Sequence, residues 1–186
     1  MPRIKIINQN EATGSLKELY VELARSRGKL ANVHMIQSLH PESIRTHMAL
    51  YMEIMFSNSE LSRAERELIG TVVSIANGCK YCTQHHSEAL NHYWKNDKKI
   101  EKLISGNYFE ILTPKEIALF EFSKNLTVNP ELHENNDFTL QLRQEGLSDA
   151  AILDVVLVTA YFNFVNRIVL SLGVTLENDN GTGYNY

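Results

Sequence analysis

The stretch LSDAAILDVVLVTAYFNFVNRIVLSLGV, residues 147–174, narrows the possible folds of this chain more than any other. It reads as one long helix that is apolar almost all the way round. Such a helix has to lie at the centre of a bundle or in a membrane. Its most apolar part, AILDVVLVTAYFNFV, carries Asp154. Nowhere does an uncharged apolar run approach the roughly 18 residues that a membrane span requires. The stretch is therefore expected to be the central helix of a domain, with other elements packed around it and no membrane partner.

The remaining segments supply those elements, and their apolar residues recur at helical spacing. In GSLKELYVELARSRG, Leu16, Leu19, Tyr20 and Leu23 share a face and Gly28 supplies a stop. A short helix is expected in ANVHMIQSLH, and Pro41 then opens another running to about Phe56, with Ile44, Met48, Tyr51, Met52 and Met55 as its stripe. Ser62 and Glu65 form a capping-box pair for a helix running to about Asn77. Helices follow from near Cys79 to Trp94 and over KKIEKLIS, which Gly106 closes. Thr113, Pro114 and Glu116 start the helix in LTPKEIALFEFSKNLTVN, and NDFTLQLRQ gives a short one before Gly146. RIKII is the only β-like run. The expectation is an all-α bundle of about eight to nine helices in one domain, residues 1–176. Such a chain buries roughly 70% of the surface its unfolded form exposes, so it needs no disulfide framework. The polar tail, residues 177–186, is expected to be loose unless a partner subunit holds it. LSRAERELIGTVVSIAN and LSDAAILDVVLVTAYFN share an opening, an apolar middle and an Asn at the same offset (Asn77 and Asn163), a hint of internal duplication.

The net charge is -4 and the basic residues are dispersed, so no nucleic-acid footprint is present. The start, MPRIKIINQNEATG, has no apolar core of a secretory signal. The cytoplasm is the expected compartment, where thiols are kept reduced and a C-x-x-C pair points to catalysis or metal binding. Both cysteines lie in NGCKYCTQHHSEAL. Asn77-Gly78 is turn chemistry, so Cys79 falls at a helix N-terminus and Cys82 in the first turn, where free amides and the helix dipole favour a thiolate. His86 is four residues from Cys82 on the same stripe, whereas His85 points roughly 100° away. A carboxylate one helix back, Glu65 or Glu67, could orient the imidazole, and spacing does not choose between them. The same residues also allow a zinc site from Cys79, Cys82, His86 and Glu67, or two buried thiols with no role.

Glu67, eleven residues, Cys79-x-x-Cys82, three residues and His86 resemble the signature of the alkylhydroperoxidase D (AhpD)-like branch of the carboxymuconolactone decarboxylase superfamily. The surrounding LSRAERELIGTVVSIANGCKYCTQHH and YFNFVNRIVLSLGV are similar to the uncharacterised peroxidase-related members, and the resemblance spans about residues 30 to 176. It implies an AhpD-like all-α fold, homo-oligomeric as a dimer, trimer or hexamer. It also implies a peroxidase that reduces hydrogen peroxide or organic hydroperoxides. Cys82 would be the peroxidatic cysteine, Cys79 the resolving one, His86 the activating base and Glu67 the end of the proton relay. Glu65 is left to helix capping. No resident cofactor is implied; an external dithiol donor of the lipoyl-protein or thioredoxin type is. The best-studied type has a second histidine just before the second cysteine, where this chain has Tyr81, as the peroxidase-related branch does. A phenol is a poor base near neutral pH. Tyr81 and His85 are thus expected beside the site rather than in the relay. The alternatives are a carboxymuconolactone decarboxylase-like enzyme acting on a small molecule, or a non-enzymatic redox-sensing or zinc-binding protein. His47 is expected at the surface or at an interface, the methionine stripe in a core or interface, and Asn163, Asn166 and Arg167 in a polar network between helices or subunits.

Overall fold

The computed structural model describes residues 1–179 and 181–184. Among these the chain forms nine α-helices and no β-strand: α1 (Gly14–Arg27), α2 (Asn32–Met35), α3 (Pro41–Phe56), α4 (Arg63–Ala76), α5 (Lys80–Trp94), α6 (Asp97–Ile104), α7 (Pro114–Val128), α8 (Thr139–Gln144) and α9 (Asp149–Leu172). The boundaries follow local chemistry. At α4 the Ser62 side chain accepts from the Glu65 N–H while the Glu65 carboxylate accepts from the Ser62 N–H, and Thr113 and Glu116 repeat this box at α7. Each box satisfies two of the N–H groups that a helix start leaves unpaired.

Two local expectations change. Pro130–Glu134 form a short 3-10 turn that the sequence did not announce. RIKII is not a strand. No neighbouring strand exists among the described residues, so its backbone pairs with other groups instead. The Arg3 N–H donates to the Leu172 carbonyl (2.9 Å) and the Ile7 N–H to Ser38 Oγ (2.9 Å).

Helix α4 holds the molecule together because it buries two faces. Ile69 and Val73 join Met55, Phe122, Val155 and Phe162 in the largest core, built from α3, α4, α5, α7 and α9. Leu68 and Val72 join Leu90, Leu103 and Phe120 in a second core under α5, α6 and α7. A third core joins α1 to α3 through Leu16, Leu19, Tyr20, Ile44 and Met48. Arg66, buried at 4% exposure, clamps the α3–α4 corner by donating to the carbonyls of Ile54, Ser57 and Leu61.

The helix expected at the centre is α9, but it packs with one face on the core and leaves the other open, and α4 takes the central place. By length and composition α9 could cross a membrane, and here 44% of its most apolar window is buried against protein. Val155, Val158, Phe162 and Val169 face the core, while Leu153, Leu157 and Phe164 stay exposed. Its approach to α4 is close: a Cβ on Gly70 would lie 2.7 Å from the Phe162 ring. At one end of this crossing Asn77 Nδ2–H donates to Asn163 Oδ1 (3.0 Å), so the two equivalently placed asparagines meet.

Candidate active site

The turn between α4 and α5 places the cysteines. Gly78 takes φ +66, a left-handed conformation that costs glycine little. The Cys79 N–H then donates to the Ser74 carbonyl (2.9 Å) and the Gly78 N–H to Ile75 (3.0 Å), a Schellman closure of α4. Cys79 next caps α5, its Sγ accepting from the Cys82 N–H at 3.4 Å. Cys79 and Cys82 are joined as a disulfide and both are buried.

Folding α5 back along α4 brings His86 to Glu67. His86 Nδ1 lies 2.9 Å from Glu67 Oε2, and Arg63 Nη2 donates to Glu67 Oε1 at 2.8 Å. Glu67 has no solvent exposure. A carboxylate only accepts, so Nδ1 carries the hydrogen and His86 Nε2 is left with its lone pair. Phe162 packs on the imidazole at 4.3 Å between ring centroids and fixes its tilt. Glu65, the other candidate carboxylate, is spent on the cap and on Lys115 Nζ (2.7 Å). Spacing could not separate the two. Glu67 faces α5 and Glu65 does not.

Tyr81 and His85 turn toward the C-terminal tail. Tyr81 Oη donates to Glu177 Oε1 (2.9 Å), and His85 Nε2 lies 2.9 Å from Glu177 Oε2. Burial and then the Glu177 carboxylate push the Tyr81 phenol well above its usual value. Burial pushes the Glu177 carboxyl up, but hydrogen bonds from His85 and the Asn32 N–H outweigh it and hold that group at about 2. Lys29 pairs with Asp179 (2.7 Å), and the Tyr184 ring packs on His85 at 5.3 Å. The tail expected to be loose is therefore docked on its own chain as far as it is described, because Lys29, Asn32, Tyr81 and His85 give it partners. Nothing at Glu177 could have been read from local sequence.

A cleft of about 690 Å³, counted to its open mouth, opens over this region. Cys82 and His86 line it together with His34, His47, Tyr51, Tyr161 and Phe162; Cys79 does not line it. His47 is not the expected surface residue. It is 5% exposed, and its Nε2 meets Tyr161 Oη at 2.6 Å and its Nδ1 meets Gln37 Nε2 at 2.9 Å. Burial lowers its pKa to about 4. Burial, then His47, lowers that of His34 to about 3. Sequence spacing put His47 off the methionine stripe, but α9 covers that side of α3 as well. Within the stripe Met48 and Met55 are buried and Met52 is exposed. Asn163 bonds Asn77, Thr127 and Arg167, and Asn166 Nδ2 donates to Phe162 O; none of Asn163, Asn166 and Arg167 lines the cleft. Among the described residues no group of three or more His, Cys, Asp and Glu side chains is placed to hold a metal ion.

Residues 41–125 match the Carboxymuconolactone decarboxylase family. The chain is 29% identical over 133 residues to the uncharacterized protein YdfG of Bacillus subtilis (strain 168), covering 72% of this chain and 88% of that one. It shares its fold with a crystal structure described as alkylhydroperoxidase AhpD core, an uncharacterized peroxidase-related protein from Ralstonia eutropha JMP134. The TM-score is 0.85 at 23% identity, over 97% of this chain and 94% of that one. An uncharacterized peroxidase-related protein from Silicibacter sp. TM1040 superposes with TM-score 0.82 at 22% identity, over 97% and 96% of the two chains. The matched family segment holds Glu67, Cys79, Cys82 and His86, and the two solved structures share the all-helical fold.

Proposed function

We propose that this chain, with a carboxymuconolactone decarboxylase family segment on an AhpD-like helical fold, is a thiol-dependent peroxidase that reduces hydroperoxides through Cys79 and Cys82. The observation that carries the reading is that Cys82, and not its disulfide partner, shares the cleft with His86, whose Nδ1–H is held by Glu67. In the reduced protein His86 Nε2 takes the Cys82 thiol proton, and Glu67, held by Arg63, faces the imidazolium that forms. The thiolate attacks the terminal peroxide oxygen, an S–O bond forms, the O–O bond breaks, and the proton passes to the departing oxygen as an alcohol or water. The Cys79 thiol then condenses with the Cys82 sulfenic acid, releasing water and forming the disulfide. An external dithiol, of the lipoyl-protein or thioredoxin type, returns the pair to thiols and leaves oxidised. No resident cofactor enters this cycle.

The same reading makes the protein a cytoplasmic homo-oligomer. The exposed Leu153, Leu157 and Phe164 on α9 offer an apolar face that a second copy would cover. The test is hydroperoxide consumption with a dithiol reductant. Cys82→Ser abolishes turnover, whereas Cys79→Ser leaves a sulfenic acid after one turnover, detected by mass. Equal residual activity in wild type and Cys82→Ser would sink the assignment.

A further inference from the structure

The cleft contains polar groups that the cysteine cycle does not use. Gln37, His47 and Tyr161 form a chain whose hydrogens can be assigned. Gln37 Nε2 donates to the Val33 carbonyl at 2.8 Å, which fixes the orientation of its amide. The second hydrogen of that nitrogen points at His47 Nδ1, 2.9 Å away. Nδ1 is therefore an acceptor, and the single hydrogen of neutral His47 sits on Nε2. That hydrogen is donated to Tyr161 Oη. Tyr161 Oη accepts that hydrogen and has no other hydrogen-bond partner among the described residues, so its own O–H is left over. The residue is 6% exposed and lines the cleft, so this donor has only the cleft to serve.

A second unpartnered polar atom belongs to a residue of the same wall. His34 is 8% exposed, lines the cleft, and its Nδ1 is buried with no partner. A buried polar atom without a partner costs about 1–3 kcal/mol unless a ligand or water satisfies it. Between ring centroids His34 stands 6.0 Å from His47, which in turn stands 5.5 Å from Tyr161. Around them the walls are apolar or aromatic, with Met48, Tyr51, Phe162 and Val165. Hydrogen peroxide has no use for such walls.

We propose that Tyr161 and His34 form a polar subsite that holds the oxygen of an organic substrate, whose apolar body lies against the surrounding rings, with Gln37 and His47 as positioning residues. On the peroxidase reading, which this deepens, Tyr161 O–H donates to the oxygen that departs as the alcohol. Burial keeps the phenol well above its usual pKa, so it stays protonated as a donor.

The test is binding of an unreactive product mimic, 2-phenyl-2-propanol, to the disulfide form, followed by calorimetry or NMR titration. Cumene, which lacks the oxygen, is the control. Tyr161→Phe, which keeps the ring, is expected to weaken the alcohol about tenfold and leave cumene unchanged; His34→Leu is expected to weaken the alcohol likewise. Gln37→Leu leaves the cleft wall intact but frees His47 to change tautomer. It is expected to weaken the alcohol and to shift the His47 imidazole ¹⁵N resonances, a change that mere loss of packing does not produce. Equal alcohol affinity in wild type, Tyr161→Phe and His34→Leu overturns the subsite, as does failure of wild type to bind the alcohol at millimolar concentration. If the alcohol binds and the variants weaken it while wild type consumes no hydroperoxide, the subsite stands and the peroxidase reading fails.

Discussion

Glu67 is a carboxylate without solvent, and burying such a group is costly unless its partners replace the lost hydration. Arg63 on one oxygen and His86 on the other do so, which is why the pair at i and i+4 on α4 matters to chemistry on α5. His34 and His47 show the opposite solution: burial keeps both neutral, at about 3 and about 4 against the usual 6.5. Below pH 6.5 the unfolded imidazoles take up protons and the folded ones do not, so acidification favours the unfolded chain. Stability is therefore full above pH 6.5, falls as pH drops toward 4, and levels off near 3. Thermal melts between pH 7.5 and 5, where carboxylates hardly titrate, are expected to show a falling melting temperature, with a shallower slope for His47→Gln. A flat profile would contradict neutral burial. At this scale Cys79, Cys82 and His86 were legible because their spacing within one helix sets their geometry. His34, His47 and Tyr161 were not, because what joins them is packing between α2, α3 and α9.

Helix ends and turns are where local sequence acts most directly, and the capping boxes at Ser62 and Thr113 stand where spacing placed them. The crossing of α4 and α9 is a different matter, since it depends on one position without a side chain. Gly70→Ala gains about 0.5–1 kcal/mol of helix propensity. It also forces a Cβ to 2.7 Å from the Phe162 ring, and overpacking of this kind costs about 1–3 kcal/mol. The clash outweighs the gain. Gly70→Ala is expected to lower the melting temperature by about 2–4 °C, measured by calorimetry. It should also lower kcat/KM for hydroperoxide, because Phe162 is the ring that packs on His86. An alanine variant as stable and active as wild type would show that the helices part without consequence.

For the molecule as a whole, the docked tail decides what borders the site. Glu177 ties Asn32, Tyr81 and His85 together, so its removal leaves three polar groups without their partner. Glu177→Ala is expected to cost about 1–3 kcal/mol and to raise amide hydrogen exchange in residues 174–179. Unchanged exchange would mean that the Lys29–Asp179 pair and the Tyr184 ring hold the tail by themselves. The sequence by itself determined the all-helical class, nearly every helix boundary and the cysteine-histidine stripe of α5. All of these depend on periodicity, caps and turns within a few residues. Only the tertiary structure decided that Glu67 rather than Glu65 meets His86, that His47 is buried, and that the tail closes on Tyr81 and His85. Those outcomes depend on which faces meet when α4, α5 and α9 pack, and that is settled by side-chain volumes such as the missing one at Gly70, across separations of up to 150 residues between Lys29 and Asp179.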